Sequence, residues 1–379
     1  MTTIHPPRPT YCLIDGSAIA HNVRRVRAII GPGPQILAVV KADGYGHGAV
    51  GVSRAALGAG VTWLGVACGL EGAVIRAAGI DAPILVLGWT PAGDAPAAVA
   101  DDLTMAVYDI DLARAYAAAA REQGRHARVH VKVDTGMGRL GVLPGEALEF
   151  VRALRGIDGL SIDGIFTHLP NSDLGDQAYT LSQLARFNDV LVTLAAAGVR
   201  PPRAHAANSP ATLIRPEARF DMVRAGIALL GLDPSDEVPC PPDFRPALEW
   251  KSALGFVRLR PAGTAISYGG EYVTRGAERI GVVPVGYADG FRRVPKNVNE
   301  VLAGGRRVPV VGRVCMDQIM VNVTSLPEAK IGDEVVLLGR QGDERISAAD
   351  LARRWGTNVY DVVCGIRGRV PRVYLIPYP

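Results

Sequence analysis

The 379-residue sequence has few aromatic residues and no long apolar run. Aromatic residues make up 6% of the chain, against 48% hydrophobic and 21% charged residues, which is typical of a globular protein with a large aliphatic core. No stretch approaches the ~20 apolar residues of a membrane helix, and the opening Met1–Pro9 lacks the apolar core of a signal peptide. We therefore expect a cytoplasmic protein without a membrane partner.

Cysteine is also scarce, and basic charge is nowhere concentrated. The five cysteines are far apart and form no Cys-x-x-Cys pair, so the sequence indicates neither a disulfide framework nor a zinc site. The 41 basic and 37 acidic residues are scattered along the chain, and the net charge is only +4. Because nucleic-acid binding needs a concentrated basic face, we expect no nucleic-acid partner and no metal.

What the sequence does contain is a regular alternation of short apolar segments with Ala- and Arg-rich helical segments. Eight apolar segments are candidate strands, the number that a (β/α)₈ barrel needs. They are Ile36–Lys41, Thr62–Val66, Ile84–Leu87, Thr104–Val107, Ala127–Val133, Ile162–Phe166, Arg203–Ala206 and Phe220–Val223. Before them, Tyr11–Ile14 is a short strand, and Asp15 precedes a helix with Ile19, Val23, Val26 and Ile30 at helical spacing. We predict an α/β fold with this TIM-type barrel at residues 1–240.

A proline-rich linker, Asp233–Pro242, separates the barrel from a region of different composition. β-Branched runs divided by glycine pairs dominate from Leu248 onward and indicate a mainly antiparallel β domain, which we place at residues 241–379. Its candidate strands are Phe256–Leu259, Ile280–Val285, Val308–Val311, Ile319–Val323 and Val335–Leu338. One helix, Ala348–Trp355 with Ser347 as its cap, interrupts them.

The first chemical motif lies where the strand from Ile36 ends at Lys41 and the chain becomes glycine-rich. Ligands bind at the carboxyl ends of parallel strands, and an amine half removed from water there can be a neutral nucleophile that forms an imine with an aldehyde. The spacing alone favours a solvated lysine after a core strand. However, Val39–Gly48 closely resembles the pyridoxal-phosphate (PLP) lysine signature of alanine racemases, which places Tyr45 beside the phosphate.

Lys132–Gly141 resembles a second segment of that family. The resemblance implies that Arg139 contacts the PLP phenolic oxygen and helps to receive the substrate carboxylate, a bidentate task that suits a guanidinium. In some members the lysine that matches Lys132 is carbamylated and steadies that arginine.

Two further positions follow candidate strands. His168 lies just past the strand that ends at Phe166, and we place it at the cofactor site. The arginine that matches Arg224 hydrogen-bonds the pyridine nitrogen of PLP in racemases of this kind. Because a guanidinium keeps its protons, the ring stays a weaker electron sink, which restrains side reactions such as transamination. We also expect a hydrogen-bond chain from Arg224 through His168 to the second base.

The phosphate site is predicted at the loops after the seventh and eighth strands, the usual phosphate corner of such barrels. Asn208 and Ser209 follow the seventh strand, and a hydroxyl at a helix N-terminus can hold an anion. Gly226 and Ile227 follow the eighth and offer backbone N–H groups.

The second domain carries three segments in the order of the family. Ile266–Gly270 resembles the segment with the second catalytic base, here Tyr268. Tyr287 and Met316 match positions that line the substrate entrance and the carboxylate site. The resemblance extends from Tyr11 to Tyr374.

The resemblance implies a cytoplasmic, PLP-dependent isomerase that interconverts L-alanine and D-alanine, for peptidoglycan synthesis or D-alanine catabolism. Because the proton leaves one face of the substrate and returns on the other, two bases are needed, and these would be Lys41 and Tyr268. In this family the tyrosine comes from the other subunit, so a homodimer with shared active sites is implied.

Two segments depart from the family pattern. Gly368 stands where members often carry a phosphate-binding tyrosine, and Leu169–Asp173 replaces the commoner Phe-Ala pattern after His168.

Two other functions also remain open. A PLP-dependent decarboxylase of the same architecture would carry a Cys-acidic-x-x-Asp segment, where this chain has Cys315–Asp317. A non-catalytic PLP-carrying regulator resembles the barrel alone, without the additional ~130 residues.

Overall fold

A computed structural model describes residues 7–293 and 297–375. The described residues divide into two compact units, of which one comprises Ser17–Arg245 and the other combines the described residues before Ser17 with those after Arg245. The first strand, β1 (Tyr11–Asp15), pairs antiparallel with Leu248–Ala253 and parallel with Arg372–Leu375. The N-terminal strand therefore belongs to the sheet of the second unit, although the sequence places it ahead of the barrel.

The first unit is built around an eight-stranded parallel sheet. Its strands are β2 (Gln35–Val39), β3 (Trp63–Val66), β4 (Ile84–Val86), β5 (Leu103–Val107), β6 (Ala127–Lys132), β7 (Leu160–Phe166), β8 (Ala204–His205) and β9 (Met222–Ala225). Each strand pairs with its neighbour in the chain from β2 to β8, and β9 pairs with β2. The N–H groups of Arg224 and Asp221 donate to the carbonyls of Ala207 (2.9 Å) and Ala204 (3.0 Å), so backbone hydrogen bonds also join the β8 and β9 segments. All eight predicted strands and the barrel are thus confirmed.

Helices follow the strands of this unit. They are α1 (Gly16–Ile30), α2 (Lys41–Tyr45), α3 (Ala49–Gly58), α4 (Gly69–Ala77), α5 (Ala95–Ala100), α6 (Ile110–Glu122), α7 (Ala147–Arg155), α8 (Ala178–Ala196) and α9 (Ser209–Ile214). Ile19, Val23 and Val26 of α1 are fully buried, as their helical spacing predicts. Within the described ranges, no helix combines the length and the apolar character that crossing a bilayer would require.

The second unit is a mainly antiparallel sheet. Its further strands are β10 (Leu248–Ala253), β11 (Phe256–Arg260), β12 (Ala265–Ile266), β13 (Tyr272–Val273), β14 (Glu278–Val283), β15 (Glu300–Ala303), β16 (Arg306–Val311), β17 (Ile319–Asn322), β18 (Glu334–Gln341), β19 (Glu344–Ile346) and β20 (Arg372–Leu375). The main sheet has the order β11-β14-β17-β16-β15-β18-β10-β1-β20, with β19 paired to β18, while β12 and β13 form a separate pair. The five predicted strands of this region are confirmed.

Helix α10 (Ala348–Trp355) has the predicted bounds, and the Ser347 hydroxyl accepts a hydrogen bond from the N–H of Asp350 (3.1 Å). The expectation of a single helix in this region is wrong, because α11 (Val359–Cys364) follows. Its six residues include three valines, which favour strands, but Asn358 caps it by accepting from the N–H of Asp361 (3.0 Å). The Asn358 cap, which favours a helix, outweighs the preference of the three valines for a strand.

Candidate active site

Lys41 is half-buried and lies two residues beyond the end of β2, at the start of an unusual left-handed turn. Ala42, Asp43 and Tyr45 have φ of 52°, and Gly44 has φ of 62°. A left-handed conformation costs non-glycine residues roughly 1–2 kcal/mol each, so the surrounding contacts must hold this segment in place. The sequence predicted a strand through Lys41. The structure instead ends the strand at Val39 and turns the chain sharply beside the lysine.

Two carboxylates hold the left-handed turn. Glu71 accepts from the N–H groups of Ala42 and Ala67, both at 2.7 Å, and so joins the turn after β2 to the loop after β3. Asp43 accepts from the N–H of Ala49 at 2.8 Å and thereby supports the first turn of α3. Hydrogen bonds to charged acceptors are the stronger kind, which explains how three strained residues persist. No pattern in the sequence indicates that Glu71 holds this turn.

Tyr45 lies against Gly226, as the predicted phosphate site requires. A Cβ built on Gly226 would stand 2.8 Å from the Tyr45 Oη, so only glycine leaves room for the ring. The Ser209 Oγ accepts from the N–H of Gly226 at 2.9 Å, which leaves the hydroxyl hydrogen available to donate. Ile227 follows Gly226 and is buried. A phenol, a hydroxyl and the backbone after β9 thus meet in one cradle that fits an anion.

Asn208 fixes the position of this cradle. Its Oδ1 caps α9 by accepting from the N–H of Ala211 (3.3 Å) and also accepts from the Ser172 hydroxyl (2.7 Å). Its Nδ2 donates to the carbonyl of Leu169 (2.9 Å). The side chain therefore ties the loop after β7 to the loop after β8. These contacts stabilise the segment Leu169–Asp173, in which the sequence departs from the family pattern.

Arg224 is buried at the barrel interior and has no carboxylate among its hydrogen-bond partners in the described residues. Its Nη2 donates to the carbonyls of Thr167 (2.8 Å) and Ala206 (2.9 Å), and its Nη1 donates to the Nδ1 of His205 (2.9 Å). Burial lowers the pKa of Arg224 from 12.5 to about 9, which still leaves the group charged at neutral pH. No hydrogen bond from Arg224 to the His168 side chain is present among the described residues, so the expected chain from Arg224 through His168 to the second base stays a prediction.

His205 continues to a second buried histidine that the sequence did not indicate. The Nε2 of His205 lies 2.8 Å from the Nδ1 of His130, and both imidazoles are fully buried. Phe166 stacks on the His205 ring with centroids 4.9 Å apart and planes within 1°. One feature of the sequence could have indicated His130. It lies two residues from Lys132 in β6, and side chains alternate along a strand, so both residues share one face.

Lys132 is nearly fully buried, and its Nζ lies 5.4 Å from the centroid of the Phe166 ring. Burial, together with the neighbouring charges of Arg139 and Arg224, lowers the pKa of Lys132 from 10.5 to about 8. An amine of this kind is partly neutral near physiological pH, which gives it nucleophilic character that ordinary lysines lack.

The loop that carries Arg139 is organised by Asp134. Its carboxylate accepts from the N–H groups of residues 136–139 at 2.7–3.1 Å, and these bonds hold the pKa of Asp134 below its usual value although burial opposes them. Helix α8 clamps the same loop, because the Tyr179 hydroxyl donates to the carbonyl of Gly136 and the Arg186 guanidinium to that of Thr135, both at 2.7 Å. The Arg139 side chain itself is exposed.

His168 marks the point at which the positive charges of the barrel converge. Burial, together with the charges of Arg224, Arg139, Lys132 and Lys41, lowers the pKa of His168 to about 3. The predicted residues at the ends of β2, β6 and β9 therefore act electrostatically on the histidine that follows β7. A cluster of this composition attracts phosphate and carboxylate groups.

In the second unit, Tyr268 opens a short 3₁₀ turn directly after Ser267. Ser267 has a left-handed φ of 66°, and its hydroxyl donates to the carbonyl of Arg313 at 2.7 Å. Arg313 also forms an ion pair with Glu271. This network holds the turn while the Tyr268 side chain remains 65% exposed.

Tyr287 and Met316 lie on two loops that are in direct backbone contact. The N–H of Tyr287 donates to the carbonyl of Cys315 (3.1 Å), and a Cβ on Gly286 would stand 2.3 Å from the Met316 carbonyl oxygen. Tyr268 and Met316 line a cavity of about 490 Å³, and Tyr268 and Tyr287 line another of about 830 Å³. The structure therefore groups the three predicted residues of this unit. At the departing position Gly368, a Cβ would meet no described atom within 4 Å.

Comparisons with known proteins agree with this geometry. The model of "Alanine racemase, N-terminal domain" matches residues 14–234, and that of "Alanine racemase, C-terminal domain" matches residues 247–374. Alanine racemases from Symbiobacterium thermophilum and Desulfovibrio desulfuricans are 49% and 45% identical to the chain, with 97% of this chain and 97–98% of each relative covered. The solved alanine racemase from Streptomyces lavendulae is 39% identical, with a TM-score of 0.93 and 98% of both chains covered.

Proposed function

The chain belongs to the alanine racemase family, and from this premise we propose that it interconverts L-alanine and D-alanine with the aid of PLP. The observation that carries the proposal is the anion cradle after β8 and β9, where the Tyr45 ring lies against Gly226 and the Ser209 Oγ accepts from the Gly226 N–H. A decarboxylase or a PLP-carrying regulator is less well supported, since both family models match and together span nearly the whole chain.

The residues present fit PLP. Tyr45, Ser209 and the backbone at Gly226 and Ile227 would hold the phosphate, because the missing Cβ of Gly226 leaves room for the Tyr45 ring and the Ser209 hydroxyl can donate. Asn208 positions this cradle through its contacts to Leu169 and Ser172. PLP, when bound, supplies an electron-withdrawing ring that stabilises negative charge at the Cα of the substrate.

The barrel residues take separate tasks in this proposal. Lys41 holds the cofactor and removes or returns the Cα proton on one face of the substrate. Arg139 receives the substrate carboxylate, which its exposed guanidinium can engage in a bidentate manner. Arg224 would donate to the pyridine nitrogen of bound PLP, because its guanidinium does not give up its proton at neutral pH. Lys132 stands beside Arg139, where carbamylation would replace an unfavourable positive charge with a negative one.

We further propose that the partner subunit's Tyr268 is the second base, with Tyr287 and Met316 beside it at the substrate entrance. In one chain Tyr268 is 65% and Met316 53% exposed, and such exposed groups of large side chains mark surfaces that another molecule covers. A homodimer with shared active sites accounts for this exposure.

In this proposal, residues 1–240 bind the cofactor and residues 241–379 contribute the second base. The five free cysteines suit a cytoplasmic enzyme that supplies or consumes D-alanine.

Borohydride reduction of the PLP-loaded protein, followed by peptide mapping, tests the cofactor assignment. The pyridoxyl group should be found on Lys41, and Lys41→Ala should abolish both the adduct and the formation of D-alanine from L-alanine. Lys251, which lies in the second unit and is paired with Glu249 and Glu334, serves as the control lysine. Label on any lysine other than Lys41 would overturn the assignment. A panel of L-amino acids in the same assay defines the substrate range.

A further inference from the structure

The hydrogen-bond chain Arg224, His205, His130 can be formed in only one direction. A guanidinium donates and never accepts, so the His205 Nδ1, at 2.9 Å from the Arg224 Nη1, must be the unprotonated nitrogen. The proton of the neutral ring therefore lies on Nε2, which donates to the His130 Nδ1 at 2.8 Å. His130 must in turn carry its proton on Nε2. The two contacts are thus compatible with only one pair of neutral tautomers, with the proton on Nε2 in both histidines.

The barrel is built to hold His130 in this place. A Cβ on Gly164 would stand 2.6 Å from the His130 Nδ1 and Cε1, so the glycine of the neighbouring strand leaves room for the ring. The register between β6 and β7 shifts between Val129 and His130, which re-aims the side chain. Trp63 packs against the other side, with ring centroids 5.5 Å apart.

The hydrogen-bond chain that starts at Arg224 ends at His130. The His130 Nε2 is buried and has no hydrogen-bond partner among the described residues. At the other end is Arg224, whose remaining partners are the two backbone carbonyls of Thr167 and Ala206.

We propose that His130 is a positioning residue that fixes His205 as its Nε2–H tautomer and thereby keeps an acceptor in front of the Arg224 guanidinium. Without an acceptor at position 130, the His205 ring gains nothing from this tautomer. The alternative tautomer presents an N–H to the Arg224 N–H groups, and this repulsion displaces the guanidinium. The tautomer assignment stands on the geometry alone, whereas the consequence for catalysis rests on the proposed function.

The tautomers can be measured directly in the wild-type protein by ¹⁵N NMR of labelled histidines, with and without PLP. Spectra of His130→Asn and His205→Asn assign the two rings. Both histidines should have an unprotonated Nδ1 and a protonated Nε2. A proton on the His205 Nδ1 would overturn the proposal, and this readout does not depend on activity, so it separates failure of this inference from failure of the proposed function.

Two variants test the consequence for Arg224. His130→Leu removes the acceptor and should lower kcat on the order of 10-fold, with a smaller change in the KM for alanine because the Arg139 loop is untouched. His130→Asn offers a carbonyl oxygen at the same distance from Cβ as Nδ1 and should restore most of the activity and the His205 tautomer. Equal kcat in wild type and a folded His130→Leu, or no recovery in a folded His130→Asn, would contradict the role. If His130→Leu does not fold, the wild-type spectrum still tests the tautomers on which the proposal depends, and a folded His130→Asn tests the acceptor.

Discussion

The Tyr45 ring occupies the space that a side chain on Gly226 would need, since a Cβ there would stand 2.8 Å from the phenol oxygen and 2.9 Å from the ring. The two residues follow the first and last barrel strands, which pair with each other. The phosphate cradle therefore depends on barrel closure as well as on local sequence.

Gly226→Ala should weaken PLP binding. The added methyl group pushes Tyr45 out of the cradle, and overpacking of this kind typically costs about 1–3 kcal/mol, or roughly a 5- to 150-fold higher dissociation constant. Titration of the apoenzyme with PLP, followed by fluorescence, measures this constant.

Gly33→Ala is the matched control, because a Cβ at Gly33 meets nothing within 4 Å. It should bind PLP as the wild type does. Unchanged binding by Gly226→Ala would show that Tyr45 does not contribute to the phosphate site.

Strands such as β2, β3 and β4 were predictable because they are short apolar runs, which are typical of strands buried on both faces. Ile36, Leu37 and Ala38 are indeed fully buried. The left-handed turn after Lys41 was not predictable, since Ala42 and Tyr45 do not individually favour positive φ. The turn exists because of Glu71, which is distant in sequence.

The same distinction applies to the site. Lys41, Tyr45 and Arg224 could be named because each follows a recognisable strand within a family motif. His205 and His130 could not, because their role arises from a side-chain contact across three barrel strands, separated by 75 residues in the chain. The position of β1 in the second sheet was equally hidden, as its five residues carry no signal of the partner strand.

Lys132 should react with carbon dioxide in a pH-dependent manner. The neutral amine forms an N–C bond with CO₂ and releases one proton, giving a carbamate. Because the pKa of Lys132 is lowered to about 8, its neutral fraction rises as pH increases through 8, whereas an ordinary lysine stays protonated up to about 10. In ¹³C-bicarbonate buffer, a carbamate NMR signal should therefore grow between about pH 7 and pH 9.

Lys132→Ala provides the control for this experiment and should lack the signal. A signal that persists in Lys132→Ala belongs to another amine. Absence of the signal in the wild type at the upper pH would show that the buried amine stays unmodified.

Mixing two inactive variants tests the shared active sites. Lys41→Ala and Tyr268→Phe should each be inactive alone, but a hybrid dimer contains one site with both bases intact. Random exchange of equal amounts should restore about a quarter of the wild-type activity, because half the dimers are hybrid and each has one working site of two.

Native mass spectrometry of subunits with different mass tags shows whether exchange occurs. Each variant incubated with itself is the control. If hybrid dimers form and the mixture remains inactive, then both bases of one site come from the same chain.

Lys41 and Tyr268 should act on opposite stereoisomers, with Tyr268 removing the proton of L-alanine and Lys41 that of D-alanine. One base cannot reach both faces of a planar carbanion, and positioned bases typically contribute about 10²–10⁴ in rate. In Tyr268→Phe, run in heavy water, Lys41 should still exchange the Cα hydrogen of D-alanine with solvent. Exchange from L-alanine and net racemisation should fall by roughly this factor.

Tyr287→Phe serves as the matched control, since it removes a hydroxyl from the same exposed group of side chains without removing a base. It should reduce exchange from both isomers to a similar extent, or leave both unchanged. In Tyr268→Phe, by contrast, the ratio of the two exchange rates must change. Equal residual exchange from both isomers in Tyr268→Phe would falsify the assignment, because it would mean that one base serves both faces or that Tyr268 acts only in binding.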